Sequence, residues 1–204
     1  MCSDYDFLFQ AIYHAVKVWK VDIIVMSFSF EDDEPEIDPA LHYAAGKRVL
    51  LFAAASNNRA NRDNSIGYPA RAEDLVFCIN SSNGQDERSR FSPHARAGRL
   101  NFSVVGECLK AAWPPDKCGE DEQHYRVLSG TSCATPVAAG IAALVLEFSR
   151  RDDIDPPIIN KEDLRSRAGM KQVIYQCMTD QIRQGDRYNY IKPLKLFGQK
   201  AATV

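Results

Sequence analysis

The sequence predicts an α/β protein in which helices flank a parallel β-sheet. Three segments are predicted to be strands. VDIIVMSFSF at 21–30 has the near-continuous apolar start of a strand buried on both faces, and RVLLFAAA at 48–55 is fully apolar. DLVFCIN at 74–80 is the third strand. A predicted helix separates the first two strands, and a polar loop separates the second strand from the third. A long Ala-rich stretch at 126–148 can bring a helix close to the sheet. Strands that alternate with helices are typical of parallel strands joined by right-handed crossovers.

Two helices are predicted within the first fifty residues. Residues 4–19 carry apolar side chains at helical spacing on one buried face: Leu8, Ile12, Ala15, Val16 and Trp19. A second helix is expected to begin at Asp38, which can cap it, with Pro39 in its first turn, and to end at Gly46. Its buried side is formed by Leu41, Ala44 and Ala45.

Beyond residue 80, the sequence predicts one short strand, LNFSVVG at 100–106, and two helices. The element at 126–148, whose helix is expected to start at Gly-Thr-Ser, should pack on the sheet through small residues: Ala134, Ala138, Ala139, Gly140, Ala142 and Ala143. A further helix is expected at 169–183, with Val173, Ile174, Cys177 and Ile182 buried. The charged, Pro-containing segment after Arg151 predicts a boundary between a main body at 1–151 and a C-terminal extension at 152–204.

Composition excludes several classes of partner and site. The 204 residues carry a formal net charge of −2, so no basic field favours nucleic acid or an anionic membrane. No signal peptide is visible at the N-terminus, and the apolar run at 137–148 is too short to span a bilayer, so a cytoplasmic location is expected. The six cysteines form no C-x-x-C pair, which favours free thiols, with a Cys108–Cys118 disulfide as the alternative. We expect no cofactor and no metal site, and we interpret EDDEPE at 31–36 as a solvated charge run.

Ser132 stands at the start of the long helix and has two interpretations. A serine there is ordinarily an N-cap whose hydroxyl satisfies a free backbone N–H. Gly130 permits close approach of the backbone, and the positive end of the helix dipole stabilises negative charge that develops on an attacked carbonyl oxygen. Pro136 lies near the helix start, where its missing N–H is expected to cost little. A nucleophile is therefore the second interpretation.

The segment GTSCATPVAAG at 130–140 resembles the nucleophile motif of the subtilisin-like serine peptidases, the subtilases. Three further segments resemble motifs of that family in the same order and at similar separations: VDIIVMSFSF, VLLFAAASNN at 49–58, and the Tyr-Pro-Ala loop, strand and Phe-Ser turn at 68–92. Together they cover about residues 8–150. Four collinear motifs are strong evidence where one is weak. The resemblance implies part of a subtilisin-like parallel sheet with flanking helices, without the N-terminal half of the domain.

The resemblance also implies roles for individual residues in the cleavage of a polypeptide substrate. Ser132 matches the nucleophile, Asn57 matches the side-chain donor of the oxyanion hole, and the backbone N–H of Ser132 is the natural second donor. Ser27, Phe28 and Ser29 match the strand that pairs with an extended peptide. Ala54, Ala55 and Ser56 match the lining of the primary specificity pocket.

The chain departs from the family pattern in two ways. Ser29 and Ser56 stand where the family usually has glycine, which puts the substrate preference in doubt. The Asp-[Ser/Thr]-Gly and His-Gly-Thr motifs that carry the other two members of the Ser-His-Asp triad are absent. The four histidines are interpreted as ordinary helix or surface residues: His14, His42, His94 and His124.

Three explanations for the incomplete triad remain open. The chain is a fragment of a larger peptidase, or it works with a second polypeptide that supplies the missing N-terminal half, or it is a non-catalytic module that binds peptides. The missing half would leave an exposed sheet edge and apolar surface. An unrelated α/β domain with a capping serine would be favoured if Asn57 and Ser132 lay on opposite faces of the sheet.

Overall fold

A computed structural model of the protein describes residues 4–57, 66–114, 124–153, 160–180 and 187–197. The helices are α1 (Asp4–His14, continued by a π-helical segment Ala15–Trp19), α2 (Asp38–Gly46), α3 (Thr131–Ser149), α4 (Arg167–Met178) and α5 (Leu194–Phe197), with a 3₁₀ turn at Lys161–Arg165. The strands are β1 (Ile23–Met26), β2 (Leu50–Ala54), β3 (Val76–Ser82), β4 (Phe102–Val105), β5 (Leu109–Ala112), β6 (Tyr125–Leu128) and β7 (Asn189–Tyr190).

The main sheet has five parallel strands in the order β1-β2-β3-β4-β7. The predicted parallel sheet with flanking helices is therefore confirmed. The register pairs Ile24 with Leu51 and Ala54 with Ile79, so the carboxyl ends of β1, β2 and β3 lie side by side. The short strands β5 and β6 form a separate antiparallel ribbon, which the sequence did not predict.

Each face of the sheet buries its own apolar cluster. In β2, Leu50 and Phe52 pack with α3 and α4, whereas Leu51 and Ala53 pack with α1 and α2. This alternation explains why the whole strand is apolar, because both of its faces are covered. Met170 and Ile174 of α4 belong to the cluster under α3, so residues on both sides of the predicted boundary at Arg151 share one core. The boundary itself stays a prediction.

The strand β1 forms one end of the sheet, and the predicted burial of both its faces is wrong. Val25 is 41% exposed, and β2 is the one described strand that pairs with β1. On α3, Gly140 and Ala143 are also exposed rather than packed on the sheet as predicted, and the adjacent Leu144 is 58% exposed. An open strip of surface therefore follows the β1 end of the sheet.

Other helix predictions need correction at single residues. Trp19 is 70% exposed because the π-helical segment after His14 widens the helix and shifts the apolar face that ordinary helical spacing predicts. The first helical residues of α2 include Asp38, but the residue at the N-cap position is Ile37. Cys177 of α4 is exposed rather than buried, and Ile182 lies outside the described residues.

The helix α3 is 19 residues long, and an 18-residue stretch of it has a mean hydropathy of 1.5, so by length and composition alone it could cross a membrane. Half of that stretch is buried inside the protein. Since the core helix of an α/β domain satisfies the same criterion, its length does not indicate a membrane span.

Candidate active site

Ser132 and Asn57 meet at the carboxyl edge of the main sheet. Asn57 follows β2, and Ser132 is the second residue of α3. The third element of the site is Ser27, which directly follows β1. Because β1 and β2 are neighbouring parallel strands, the residues after them lie close together, at the edge where open α/β sheets bind ligands.

Ser132 and Ser27 are joined by two reciprocal hydrogen bonds. The Ser132 hydroxyl donates to the backbone carbonyl oxygen of Ser27 at 3.0 Å. The Ser27 hydroxyl donates to the backbone carbonyl oxygen of Ser132, also at 3.0 Å. The start of α3 is thereby tied to the end of β1, across 105 residues of sequence.

Asn57 is held in one orientation by Thr131. Its Oδ1 atom accepts a hydrogen bond from the Thr131 backbone N–H at 2.9 Å and another from the Thr131 hydroxyl at 2.9 Å. Both donors fix which end of the carboxamide is the oxygen, so the Nδ2 group points away from them. The amide N–H groups of Asn57 are thus left to serve a different acceptor.

A single point beside Gly130 is flanked by two N–H donors. A Cβ atom built on Gly130 would lie 3.3 Å from Asn57 Nδ2, its nearest neighbour, and 3.7 Å from both Asn57 Oδ1 and the Ser132 backbone nitrogen. Gly130 has an extended backbone with φ 164°, which any residue adopts, so a side chain there is opposed by this tight contact and not by backbone strain. Asn57 and Ser132 therefore converge on one small volume and do not lie on opposite faces of the sheet.

Gly106 packs closely against this arrangement, a role that no sequence motif predicted. Its carbonyl oxygen accepts a hydrogen bond from the Gly130 N–H at 2.8 Å. A Cβ atom on Gly106 would lie 2.5 Å from Ser81 Oγ and 2.8 Å from Ala134 Cβ. The signal available in the sequence was a glycine at the end of a predicted strand, which often marks a close approach of two backbones.

The segment predicted to pair with a peptide runs along the open side of the site. Ser27 and Ser29 are exposed and Phe28 is half-buried. Within the described part of the chain, Phe28 and Ser29 make no backbone hydrogen bond, whereas Phe30 is bridged to Tyr68 in both directions at 2.8 and 2.9 Å. The backbone of Phe28 and Ser29 is therefore available to a further strand.

The residues predicted to line the specificity pocket follow β2 and are almost completely buried: Ala54, Ala55 and Ser56. Ser56 has φ 139°, a backbone conformation that favours glycine. A Cβ atom on Gly67 would lie 2.6 Å from Ser29 Cβ. Both serines that replace family glycines thus stand in crowded or strained positions, and their roles in substrate preference stay predictions.

No histidine is bonded to Ser132 within the described residues. His14 ends α1, where its ring contacts Trp19 edge to face at 5.1 Å. The other three are exposed: His42, His94 and His124. The described ranges therefore contain the nucleophile candidate and both N–H donors, but no base placed to accept the hydroxyl proton.

The acidic segment after β1 shows no sign of a metal site. Across the described ranges, no group of three His, Cys, Asp or Glu side chains is placed to hold a metal ion. Asp33 instead forms an ion pair with Arg71. The described cysteines Cys78, Cys108, Cys133 and Cys177 are free thiols, and Cys118 of the alternative disulfide lies outside the described residues.

Known proteins resemble this chain in sequence over most of its length. An intracellular serine protease of Paenibacillus polymyxa is 31% identical over 162 residues, which cover 76% of this chain and 46% of the relative. The major intracellular serine protease of Bacillus subtilis is 32% identical over 148 residues, covering 72% of this chain and 43% of that protein. The chain therefore spans less than half the length of these two relatives.

Solved structures share the fold. A mutant of the protease domain of PatA superimposes with a TM-score of 0.70 at 22% identity, covering 95% of this chain and 64% of that domain. A lanthipeptide protease superimposes with a TM-score of 0.72 at 19% identity, with 96% of this chain and 67% of the other covered. Residues 3–190 match the sequence profile of the Subtilase family. On this match and this fold, the chain belongs to the subtilase family.

Proposed function

We propose that this chain is the C-terminal portion of a subtilase catalytic domain that acts as a serine endopeptidase. Ser132 is the nucleophile, and Asn57 Nδ2 and the Ser132 backbone N–H form the oxyanion hole. The observation that supports this proposal best is the convergence of the two donors on the point beside Gly130. Donors at about 3 Å from the developing oxyanion are what acyl transfer requires.

The proposed reaction needs a base that the described residues do not provide. Attack by Ser132 Oγ on a peptide carbonyl carbon forms a new C–O bond and moves the π electrons onto the carbonyl oxygen. The hydroxyl proton must leave at the same time, and an imidazole oriented by a carboxylate accepts it and later donates it to the departing amine. The Ser27 carbonyl oxygen, which accepts that proton's hydrogen bond here, is too weak a base for this role.

We infer that the base and its carboxylate come from the N-terminal half of a subtilase domain, as a preceding segment or a second polypeptide. Its docking surface is the strip beside β1. The strip combines the edge of β1 that pairs with no described strand and a groove lined by apolar residues, including Ile23 and Leu144, together with Asp22, Glu147 and Arg150. Exposed Val25 and Leu144 are the surface that such a segment would bury. Ser27 lies at the end of that strand, so a segment beside β1 would end near Ser132.

The experiment combines the chain with that segment. The sequence directly upstream of Met1 is searched for Asp-[Ser/Thr]-Gly and His-Gly-Thr motifs, and the segment carrying them is co-expressed with this chain. If no such segment exists, the N-terminal part of the Paenibacillus polymyxa relative is used. We call the product the complemented enzyme. Fluorophosphonate labelling and peptide hydrolysis are then compared with those of the chain alone.

Complementation is expected to raise the labelling of Ser132 by at least a hundredfold, since general base catalysis typically contributes about 10²–10⁴. Ser132→Ala in the complemented enzyme is the matched control and should not label. Rapid Ser132-dependent labelling of the chain alone would reveal an internal base and contradict the division of the triad. A stable complex that neither labels nor hydrolyses peptides would contradict the peptidase proposal.

The second candidate function is a non-catalytic module that binds extended peptides along Ser27–Ser29. It is favoured by the hydrogen bond of the Ser132 hydroxyl to a carbonyl oxygen in place of a base. This alternative predicts that a peptide binds equally to the wild type and to Ser132→Ala, while no complemented form labels.

We also propose an intracellular location, since two relatives are named as intracellular proteases. Cell fractionation with an antibody to the native chain tests it.

A further inference from the structure

The nucleophile's own backbone carbonyl lacks its ordinary helical partner. In an α-helix, the carbonyl of residue i accepts a hydrogen bond from the N–H of residue i+4. The partner of Ser132 would be residue 136, which is proline and has no N–H. Pro136 is the sixth residue of α3 and lies beyond the first turn, so its missing N–H is not free of cost, contrary to the expectation from the sequence.

The Ser27 hydroxyl supplies a donor to this carbonyl from outside the helix. It donates to the Ser132 carbonyl oxygen at 3.0 Å, as a helical N–H would. The two carbonyl oxygens that precede that of Ser132 have donors on α3 itself: Gly130 accepts from the Ala134 N–H, and Thr131 accepts from the Thr135 hydroxyl. The carbonyl that loses its helical donor to Pro136 is thus the one that accepts a hydrogen bond from Ser27, the residue after β1.

We propose that Ser27 is a positioning residue whose side chain substitutes for the N–H that Pro136 lacks, and so fixes the nucleophile against the peptide-pairing strand. Proline removes a bond within the helix, and the freed carbonyl is used to join α3 to β1. Water could satisfy the same carbonyl, because both residues are accessible, but water would not hold the helix start in place. The structural part of this proposal is independent of catalysis, and its effect on Ser132 rests on the proposed function.

A double-mutant cycle between positions 27 and 136 tests the structural part. Ser27→Ala in the natural chain is expected to lower the folding equilibrium constant about two- to fivefold, the loss of one ordinary hydrogen bond. With Pro136→Ala, the backbone gains an N–H that can serve the same carbonyl, so Ser27→Ala should then lower the constant less than about 1.5-fold. Ser27→Thr keeps the hydroxyl and is the matched control. Equal effects of Ser27→Ala in both backgrounds would overturn the proposal.

Hydrogen exchange provides a direct readout of the substitution of donors. In the Ser27→Ala/Pro136→Ala variant, the new backbone amide at position 136 should be protected, because it alone serves the Ser132 carbonyl. In Pro136→Ala with Ser27 intact, the carbonyl oxygen can accept from both donors through its two lone pairs, and the Ser27 hydroxyl also ties the helix start to the end of β1, so protection of this amide should be higher. Equal protection in both variants would show that the Ser27 hydroxyl does not hold the helix start.

Kinetics test the positioning of the nucleophile in the complemented enzyme. Ser27→Ala should slow fluorophosphonate labelling of Ser132 about tenfold, and Pro136→Ala added to it should restore most of the rate. If Ser27→Ala slowed labelling only by removing a side chain from the cleft, Pro136→Ala would not restore the labelling rate. Coupling in stability without any labelling would contradict the peptidase proposal and leave the structural role of Ser27 in place, so the two failures are distinguishable.

Discussion

Asn57 and Thr131 are joined by two hydrogen bonds that both end on the same atom, Asn57 Oδ1. The oxygen end of the carboxamide is thereby occupied, and the amide end faces the point beside Gly130 that the Ser132 N–H also approaches. An oxyanion donor is effective when it is oriented before the reaction, because no reorganisation is then required as charge develops. If Asn57 is the oxyanion donor that we propose, Thr131 determines how well its carboxamide is oriented for that role.

Replacing Thr131 with Val should impair Asn57 without unfolding the chain. The substitution removes the hydroxyl donor at 2.9 Å and leaves the backbone donor, so the carboxamide becomes less well oriented. We expect kcat of the complemented enzyme to fall about tenfold with little change in KM, the loss of roughly one hydrogen bond made in the transition state. Thr131→Ser keeps a hydroxyl and should retain most of the activity. A change confined to KM would indicate that Thr131 acts on substrate binding instead.

Gly130→Ala should fill the proposed oxyanion site with a methyl group. The new Cβ would lie 3.3 Å from Asn57 Nδ2, a tight contact but not a severe clash, so the fold should persist. Labelling of Ser132 in the complemented enzyme should fall at least a hundredfold. Gly140→Ala on the same helix is the control, because a Cβ there meets no atom within 4 Å and should stabilise the helix by about 0.5–1 kcal/mol. Normal labelling of the Gly130 variant would place the oxyanion elsewhere.

Ser56→Gly should stabilise the chain although it removes a buried side chain. Ser56 is held at φ 139°, and such strain costs about 1–3 kcal/mol, whereas the added freedom of glycine in the unfolded state costs about 0.5–1 kcal/mol. The expected net gain is about 1 kcal/mol in the free energy of unfolding, measured by urea titration. Ser29→Gly serves as the comparison, since Ser29 is not among the described residues with positive φ, and it should give no such gain. Destabilisation by Ser56→Gly would show that the contacts of the serine outweigh the strain.

Cys78 should make the protein less stable in alkaline solution. Burial raises the pKa of its thiol from an ordinary value of 9.0 to about 12, and the Glu73 carboxylate adds to the rise. Between pH 9 and pH 12 the unfolded chain therefore loses this proton while the folded chain keeps it, so stability falls as pH rises. Between pH 8 and pH 10.5, Cys78→Ala should lose about 2 kcal/mol less stability than the wild type, measured as the change in unfolding free energy. Equal losses would contradict a thiol that stays protonated in the folded protein.

Local sequence patterns predicted the elements that are long or buried on both sides. The strand β2 was recognised by its unbroken apolar run, and α3 by its length and small residues. The ribbon of β5 and β6 was missed because each strand has only four residues and most of them are exposed, so burial imposes no alternation. The two residues of β7 pair with β4 only through the tertiary fold, which no local pattern reports.

The candidate site was predicted from motifs, and its internal connections were not. Ser132 and Asn57 were predicted as site residues because the segments around them resemble subtilase motifs. Nothing near Ser27 in the sequence indicates that its hydroxyl serves a carbonyl 105 residues away, because that bond depends on a proline in a different element. The π-helical segment that exposes Trp19 is likewise set by tertiary packing rather than by helical spacing.

The most direct test of the central claim is the turnover of the complemented enzyme after Asn57→Asp. This change keeps the size of the side chain and the oxygen that Thr131 contacts, and it removes the Nδ2 donor beside Gly130. Loss of one such donor in a subtilisin lowers kcat by about 10²–10³, and we expect a loss at least that large with KM little changed. Asn57→Leu should lose a similar factor. If either variant kept kcat within threefold of the wild type, Asn57 and Ser132 would not share one oxyanion.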